Sequence, residues 1–191
     1  MKEPCYIHPW FNDNDELWFV LSHAVPTWNV FLMRANLKWD AQGINLLAEG
    51  SFEEYPNQAL GYKTMWHFNA GALTARQAHN GKIACRFSNT KAGEWQDVCT
   101  QTVSLRRSTD YTVECWVKSE EPLPEGAYIG VRLPDGTICD ATGTAEAGEW
   151  KRISCDFNSG TASDAEVFFG VWGGAAMTLL LDDICLKPKT K

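Results

Sequence analysis

Residues 45–54 read NLLAEGSFEE and residues 179–186 read LLLDDICL. The first stretch opens a β-rich region and the second closes it. Between them lie short apolar runs separated by Gly, Pro and Asn-Gly signals, with almost no long helical pattern. Residues 110–118, DYTVECWVK, form the clearest strand. Tyr111, Val113, Cys115 and Val117 fall on one face and suit a core; Thr112, Glu114, Trp116 and Lys118 fall on the other and suit water. Residues 127–133, AYIGVRL, alternate likewise, with Ala127, Ile129, Val131 and Leu133 inward and Tyr128, Gly130 and Arg132 outward. Pro134, Asp135 and Gly136 make a turn. EVFFGVW, 166–172, and the closing stretch complete a run of regularly spaced strands, which predicts a β-sandwich.

Two local signals refine this. Asn80-Gly81 between residues 71–78 and 82–88 predicts a hairpin with a type I′ turn, its second arm alternating at Ile83, Cys85 and Phe87. The tetrapeptide AGEW occurs at 92–95 and again at 147–150, each time leading into a strand. A reused turn-into-strand device, Gly bending the chain and Trp plugging the start of the sandwich, makes Trp150 and Trp95 structural on this reading.

The two bracketing stretches also carry a resemblance. Asn45, Leu46, Gly50, Phe52 and Glu53, followed at the far end by Asp182 and Asp183 between apolar residues, resemble the carbohydrate-binding modules of families 4, 9 and 22. Those modules are galactose-binding-like β-sandwiches, and the likeness covers residues 45–187. It implies a jelly-roll β-sandwich and a non-catalytic glycan-binding role toward a β-linked plant or microbial polysaccharide. It further implies a structural calcium tying the first strand to the last, held by the Glu53 carboxylate, a carbonyl such as that of Ser51, and Asp182 or Asp183. An all-oxygen set of this kind suits a hard cation. Trp95 matches a sugar-stacking Trp of some members, in tension with the AGEW reading. Sugar recognition needs flat aromatic faces and planar polar side chains. The outward residues Trp116, Glu114, Tyr128 and Arg132 supply both, with Arg76, Gln77 and Gln101 expected nearby. Trp172 alternates with Phe168 and Gly170 and reads equally well as core.

An enzyme is not expected. No nucleophile elbow, HExxH, P-loop or GxGxxG is present, and His8, His23, His67 and His79 have no recognisable catalytic partners. Asp182 and Asp183, adjacent on a strand, point to opposite faces and so are not an acid–base pair. A net charge of −7 argues against a nucleic-acid surface. The continuous apolar run at residues 17–21 is too short to cross a bilayer. No secretory signal is legible after Met1, where Lys2, Glu3 and Pro4 follow, which leaves the setting open between a cytoplasmic chain, a piece of something larger and a protein released by lysis; a virion component or part of a larger extracellular assembly is the expectation among these. The seven Cys cannot all pair within one chain, and they read as small buried hydrophobes.

Residues 1–44 stand outside the resemblance. They hold Tyr6, Trp10, Phe11, Trp18, Phe19, Trp28, Phe31 and Trp39, too much apolar area to leave in water at roughly 25 cal/mol per Å². Residues 28–39 fit either a strand or a helix, and NDNDE at 12–16 fits a helix start or a turn. The expected organisation is an N-terminal docking segment over 1–44, a sandwich over 45–187 and a basic tail over 188–191. Such a docking segment also supports a second reading: a structural, decoration or attachment protein of a particle such as a phage virion, using the sandwich without obligatory sugar binding.

Overall fold

Tyr111, Val113, Cys115 and Val117, the inward residues of DYTVECWVK, are all fully buried. The computed structural model describes residues 5–11, 17–24, 28–35, 45–53, 65–70, 72–74, 77–89, 94–122, 126–144, 146–172 and 177–189, the first three ranges as backbone. Those three are strands β1 (Cys5–Phe11), β2 (Leu17–Ala24) and β3 (Trp28–Ala35), an antiparallel sheet in the order β1-β2-β3. The segment open between strand and helix is thus a strand over 28–35. Its register sets Ile7, Leu21 and Phe31 in one row and Pro9, Phe19 and Met33 in another. The NDNDE segment at 12–16 lies outside the described residues.

The rest of the chain supplies β4 (His67–Phe68), β5 (Ala72–Thr74), β6 (Ala84–Asn89), β7 (Trp95–Ser104) and β8 (Asp110–Ser119). Then follow β9 (Ala127–Arg132), β10 (Ile138–Thr142), β11 (Trp150–Asn158), β12 (Asp164–Trp172) and β13 (Met177–Pro188). They form two five-stranded antiparallel sheets: a front sheet, β10-β9-β12-β7-β4, and a back sheet, β11-β8-β13-β6-β5. This is the expected jelly-roll β-sandwich. Ile129, Val131, Val167, Phe169 and Val171 of the front sheet meet Val113, Val117, Leu179, Leu181, Ile184 and Leu186 of the back sheet in the core. Cys85, Cys99, Cys115 and Cys155 pack there as small apolar groups, and burial pushes the Cys85 thiol up to about 12.

Three expectations change. Residues 45–53 are turns rather than a strand, yet they lie along β13 as the bracketing implied. Leu46 N–H donates to Leu186 C=O at 2.8 Å, and Ile184 N–H donates to Gly50 C=O at 2.8 Å. Asn45 closes the clasp: its Nδ2 donates to Ile184 C=O at 2.8 Å and its Oδ1 accepts from Leu186 N–H at 2.9 Å. A Cβ on Gly50 would stand 2.1 Å from the Ile184 oxygen, so only Gly lets the two segments approach this closely.

The second change is the hairpin. β5 and β6 do pair, Ala72 with Arg86 and Thr74 with Ala84, but residues 75–83 connect them. Gly81 has φ +72°, whereas Asn80 lacks the positive φ that a type I′ turn requires at both positions. The third is a bulge in β13. Register against β8 shifts between Asp182 and Cys185, with Asp183 at φ +47°.

Candidate functional site

The side chains expected to converge on one glycan do not. β8 lies in the back sheet and β9 in the front sheet, so Trp116 and Glu114 are on the opposite side of the molecule from Tyr128 and Arg132. The expectation rested on treating β8 and β9 as neighbours; in the sandwich the chain crosses from one sheet to the other between them. Arg76 lies outside the described residues. Gln101 is buried and spends its amide on Ala48, donating to its C=O at 3.0 Å and accepting from its N–H at 2.8 Å, so it is structural.

On the back sheet, Trp116 is half-buried beneath the 77–83 loop. The His79 ring lies parallel to its indole, centroids 4.0 Å apart and planes inclined by 14°, while Trp150 meets His79 edge-on at 5.4 Å. Glu114 is held by Lys187 at 3.0 Å and by Arg152. One face of Trp116 is therefore already occupied by the protein itself.

The same loop explains Glu53, Asp182 and Asp183. Glu53 Oε1 accepts from the N–H groups of Lys82 and Ile83 at 2.6 and 2.7 Å. Asp182, 0% exposed, accepts from His79 N–H at 2.8 Å, Asn80 N–H at 3.3 Å and Asp183 N–H at 2.8 Å. His79 Nδ1 lies 2.7 Å from Asp183 Oδ2. The bulge turns both carboxylates onto one loop, which corrects the expectation that they face opposite sides. Burial pushes the Asp182 carboxyl up to about 6, against the amide donors that pull it down. Glu53 and Asp182 are the carboxylates expected of a calcium site, and in this structure Glu53 Oε1 and the Asp182 oxygens accept from backbone N–H groups. Among the described residues no three Asp, Glu, His or Cys side chains converge. Such an ion would draw the rest of its ligands from backbone carbonyls, that of Ser51 being the one expected.

The outer face of the front sheet has the composition sugar recognition needs. One row crosses all five strands: Asp140, Gly130, Phe168, Thr100 and His67. At about 4.8 Å between strands the row spans about 19 Å, with Asp140 and His67 exposed at its ends and Gly130, Phe168 and Thr100 buried between them. On one side Tyr128 pairs with Gly170; on the other Arg132 pairs with Glu166 and Ile138. The glycines let rings lie across the sheet: a Cβ on Gly130 would meet Phe168, and one on Gly170 would meet Trp95. Trp95 meets Tyr128 edge-on at 5.5 Å and Phe168 at 5.7 Å. The Arg132 guanidinium lies 4.2 Å from the Phe168 ring centroid and bridges Asp97 at 2.5 Å and Glu166 at 2.6 Å. Asp97 Oδ1 also accepts from the Trp95 indole N–H at 3.0 Å, so one carboxylate orients both the ring and the guanidinium. At the end of β12, Trp172 pairs with Trp95 and is 53% exposed, which answers the core alternative.

Sequence reasoning thus named Tyr128, Arg132 and Trp95, left Trp172 open between this face and the core, and missed Asp97, Glu166 and the buried support that Phe168 gives them. The signal existed in EVFFGVW, where Glu166, Phe168, Gly170 and Trp172 share one face. With the opposite set, Val167, Phe169 and Val171, filling the core, this face carries Glu166 and the exposed Trp172 outward while Phe168 is buried beneath Arg132 and Trp95. Both AGEW tryptophans begin strands, β7 and β11, and the Trp95 ring packs on its own sheet while still bordering the front face.

The fold and this aromatic face define a jelly-roll β-sandwich of the carbohydrate-binding class. The chain belongs to the carbohydrate binding domain family, whose model matches residues 44–176. No curated protein sequence matches it. Among solved structures it is similar to TmCBM61 in complex with β-1,4-galactotriose, with 21% identity over 76% of this chain and 99% of that one and a TM-score of 0.56. It is also similar to the CBM22-1–CBM22-2 tandem domain of Paenibacillus barcinonensis Xyn10C, with 18% identity over 78% and 47% and a TM-score of 0.58. A third is the enzymatically active domain of bacteriophage CBA120 tailspike protein 4, with 15% identity over 76% and 22% and a TM-score of 0.54. At these identities the likeness is one of fold. Among the described residues no helix is long and apolar enough to cross a membrane.

Proposed function

We propose that this chain is a non-catalytic glycan-binding module whose ligand lies on the outer face of the front sheet. The observation that carries the reading is the joined set Trp95–Asp97–Arg132, seated on the buried Phe168 ring, with Tyr128 and the exposed Trp172 beside it. Rings offer their faces to sugar C–H groups, and carboxylate and guanidinium edges read hydroxyls. Family membership supports the class. Affinity on the order of mM to μM, about −4 to −8 kcal/mol, is expected from an open surface of this kind. On a glycan array, Tyr128→Ala and Trp172→Ala should lose binding without loss of fold, whereas Trp116→Ala should retain it. The opposite pattern would move the site to the back sheet.

The same proposal includes a structural calcium held by Glu53, by Asp182 or Asp183, and by the Ser51 carbonyl; its part would be to fix the 77–83 loop. It also includes a docking role for residues 1–44, presenting the sandwich on a larger assembly. The three-stranded sheet of β1, β2 and β3, with apolar residues in register across it, favours that role, and β1 also approaches β7 of the front sheet. A second reading, a structural or attachment protein of a phage-like particle, is supported by the same sheet and by the occurrence of this fold in a tailspike protein. Deleting residues 1–44 separates the two parts: a folded, glycan-binding remainder that no longer joins its assembly supports docking, and an unfolded remainder overturns it.

A further inference from the structure

We propose that Asp140 makes the front face selective against anionic glycans, an inference that rests on the glycan reading above. The outward residues of the front strands include four carboxylates, Asp97, Asp140, Asp164 and Glu166, and one Lys or Arg side chain, Arg132. Arg132 is the group that would otherwise attract an acidic sugar, since a guanidinium matches a carboxylate two-pronged. Here both prongs are taken, Nη2 by Asp97 at 2.5 Å and Nη1 by Glu166 at 2.6 Å, and the plane rests on Phe168. Its charge is matched twice over before any ligand arrives. What remains of it is a flat polar edge that reads hydroxyls.

Asp140 is placed differently. It is exposed on β10, an edge strand, and among the described residues it has no ion-pair partner. It stands in the row that runs through Gly130 and Phe168, its Cβ so near the Gly130 α-carbon that a side chain there would collide with it at 2.7 Å. A ligand resting on Tyr128, an outward neighbour of Gly130 on β9, comes beside its carboxylate. A neutral sugar offers it hydroxyl donors. A uronate brings a second carboxylate to a face that, among the described strand residues, has no cation other than the doubly paired Arg132, and like charges in close approach repel.

The test uses the full chain with soluble β-1,4-galactan and β-1,4-glucan oligosaccharides, each beside its C6-oxidised form, in which the hydroxymethyl groups are carboxylates. The wild type should bind the neutral form better than the oxidised form. Asp140→Asn should narrow that gap by about two- to fivefold, the range of an exposed charge pair, chiefly by improving the oxidised ligand. Raising the salt should narrow the wild-type gap more than the variant's. Equal binding of both forms by the wild type, or an unchanged ratio in Asp140→Asn, overturns the inference and leaves the glycan reading standing. Failure of every neutral and oxidised probe to bind overturns the glycan reading, and the inference falls with it.

Discussion

The imidazole of His79 lies face to face on the indole of Trp116, 4.0 Å between centroids. It takes the position on that ring that a sugar would need. Trp116 therefore contributes to holding a loop, and its loss should be read in stability. Trp116→Ala should lower stability by about 1–3 kcal/mol, less than loss of a fully buried Trp because the ring is half-buried, with glycan affinity retained by the folded protein. His79→Ala should be milder, and should make Trp116 accessible to a fluorescence quencher. Unchanged quenching in His79→Ala would contradict the stack.

Asp97 serves two partners at once, the Trp95 indole and the Arg132 guanidinium. Asp97→Ala should therefore cost more in glycan affinity than its own contact surface suggests, because it releases both groups from their orientation. We expect about 1–3 kcal/mol of lost stability and a measurable loss of binding by titration calorimetry. Asp97→Asn, which keeps an acceptor oxygen, should recover part of each. If Asn and Ala behave alike, the carboxylate is not acting through its two hydrogen bonds.

Calcium is checked by melting. A chelator should lower the Tm of the wild type, and Glu53→Ala should melt lower and be insensitive to chelator. An unchanged melt in excess chelator, together with no metal in elemental analysis, would remove the ion from the account.

Glu114 gives a pH signature on the back sheet. Burial pushes its carboxyl up, and hydrogen bonds and charge from Lys187 and Arg152 pull it down further, so the net shift is downward. A carboxylate whose folded value is depressed adds stability above the unfolded value of about 4.3, and that stability is lost as pH falls through the folded value. Glu114→Gln should flatten the acid limb of the stability profile below about pH 4.3 and change little near neutrality, since such exposed pairs contribute about 1 kcal/mol or less. An unaltered acid limb would show that the two cations do not stabilise the fold through Glu114.

The strands that face both core and water were legible because alternation writes itself into the sequence. The core faces of β8 and β9 were read residue by residue from DYTVECWVK and AYIGVRL. The bracketing of residues 45–54 and 179–186 was legible through the family resemblance, and the structure realises it in the bonds from Asn45 to Ile184 and Leu186. Strand order was not. Nothing local in β8 or β9 says that the chain changes sheets between them, so the face of Trp116 and the face of Tyr128 were merged into one site. The Asp182–Asp183 bulge was hidden for a related reason: a single residue at φ +47° overturns strict alternation, and Asp rather than Gly occupies it. The Asn80-Gly81 signal was outweighed by two carboxylates that pull residues 79–83 into a longer loop.

The Asn45 clasp has a consequence beyond stability. Because Asn45 is bonded directly to Ile184 and Leu186, the chain enters and leaves the sandwich at one point. The domain can accordingly be spliced into another polypeptide as a bead on a single stem, or circularly permuted by joining the two stem strands and opening a turn such as Pro134–Gly136. Tension applied through that stem would load the Asn45 hydrogen bonds first and leave the front sheet, on which Trp95, Tyr128 and Arg132 stand, mechanically unloaded.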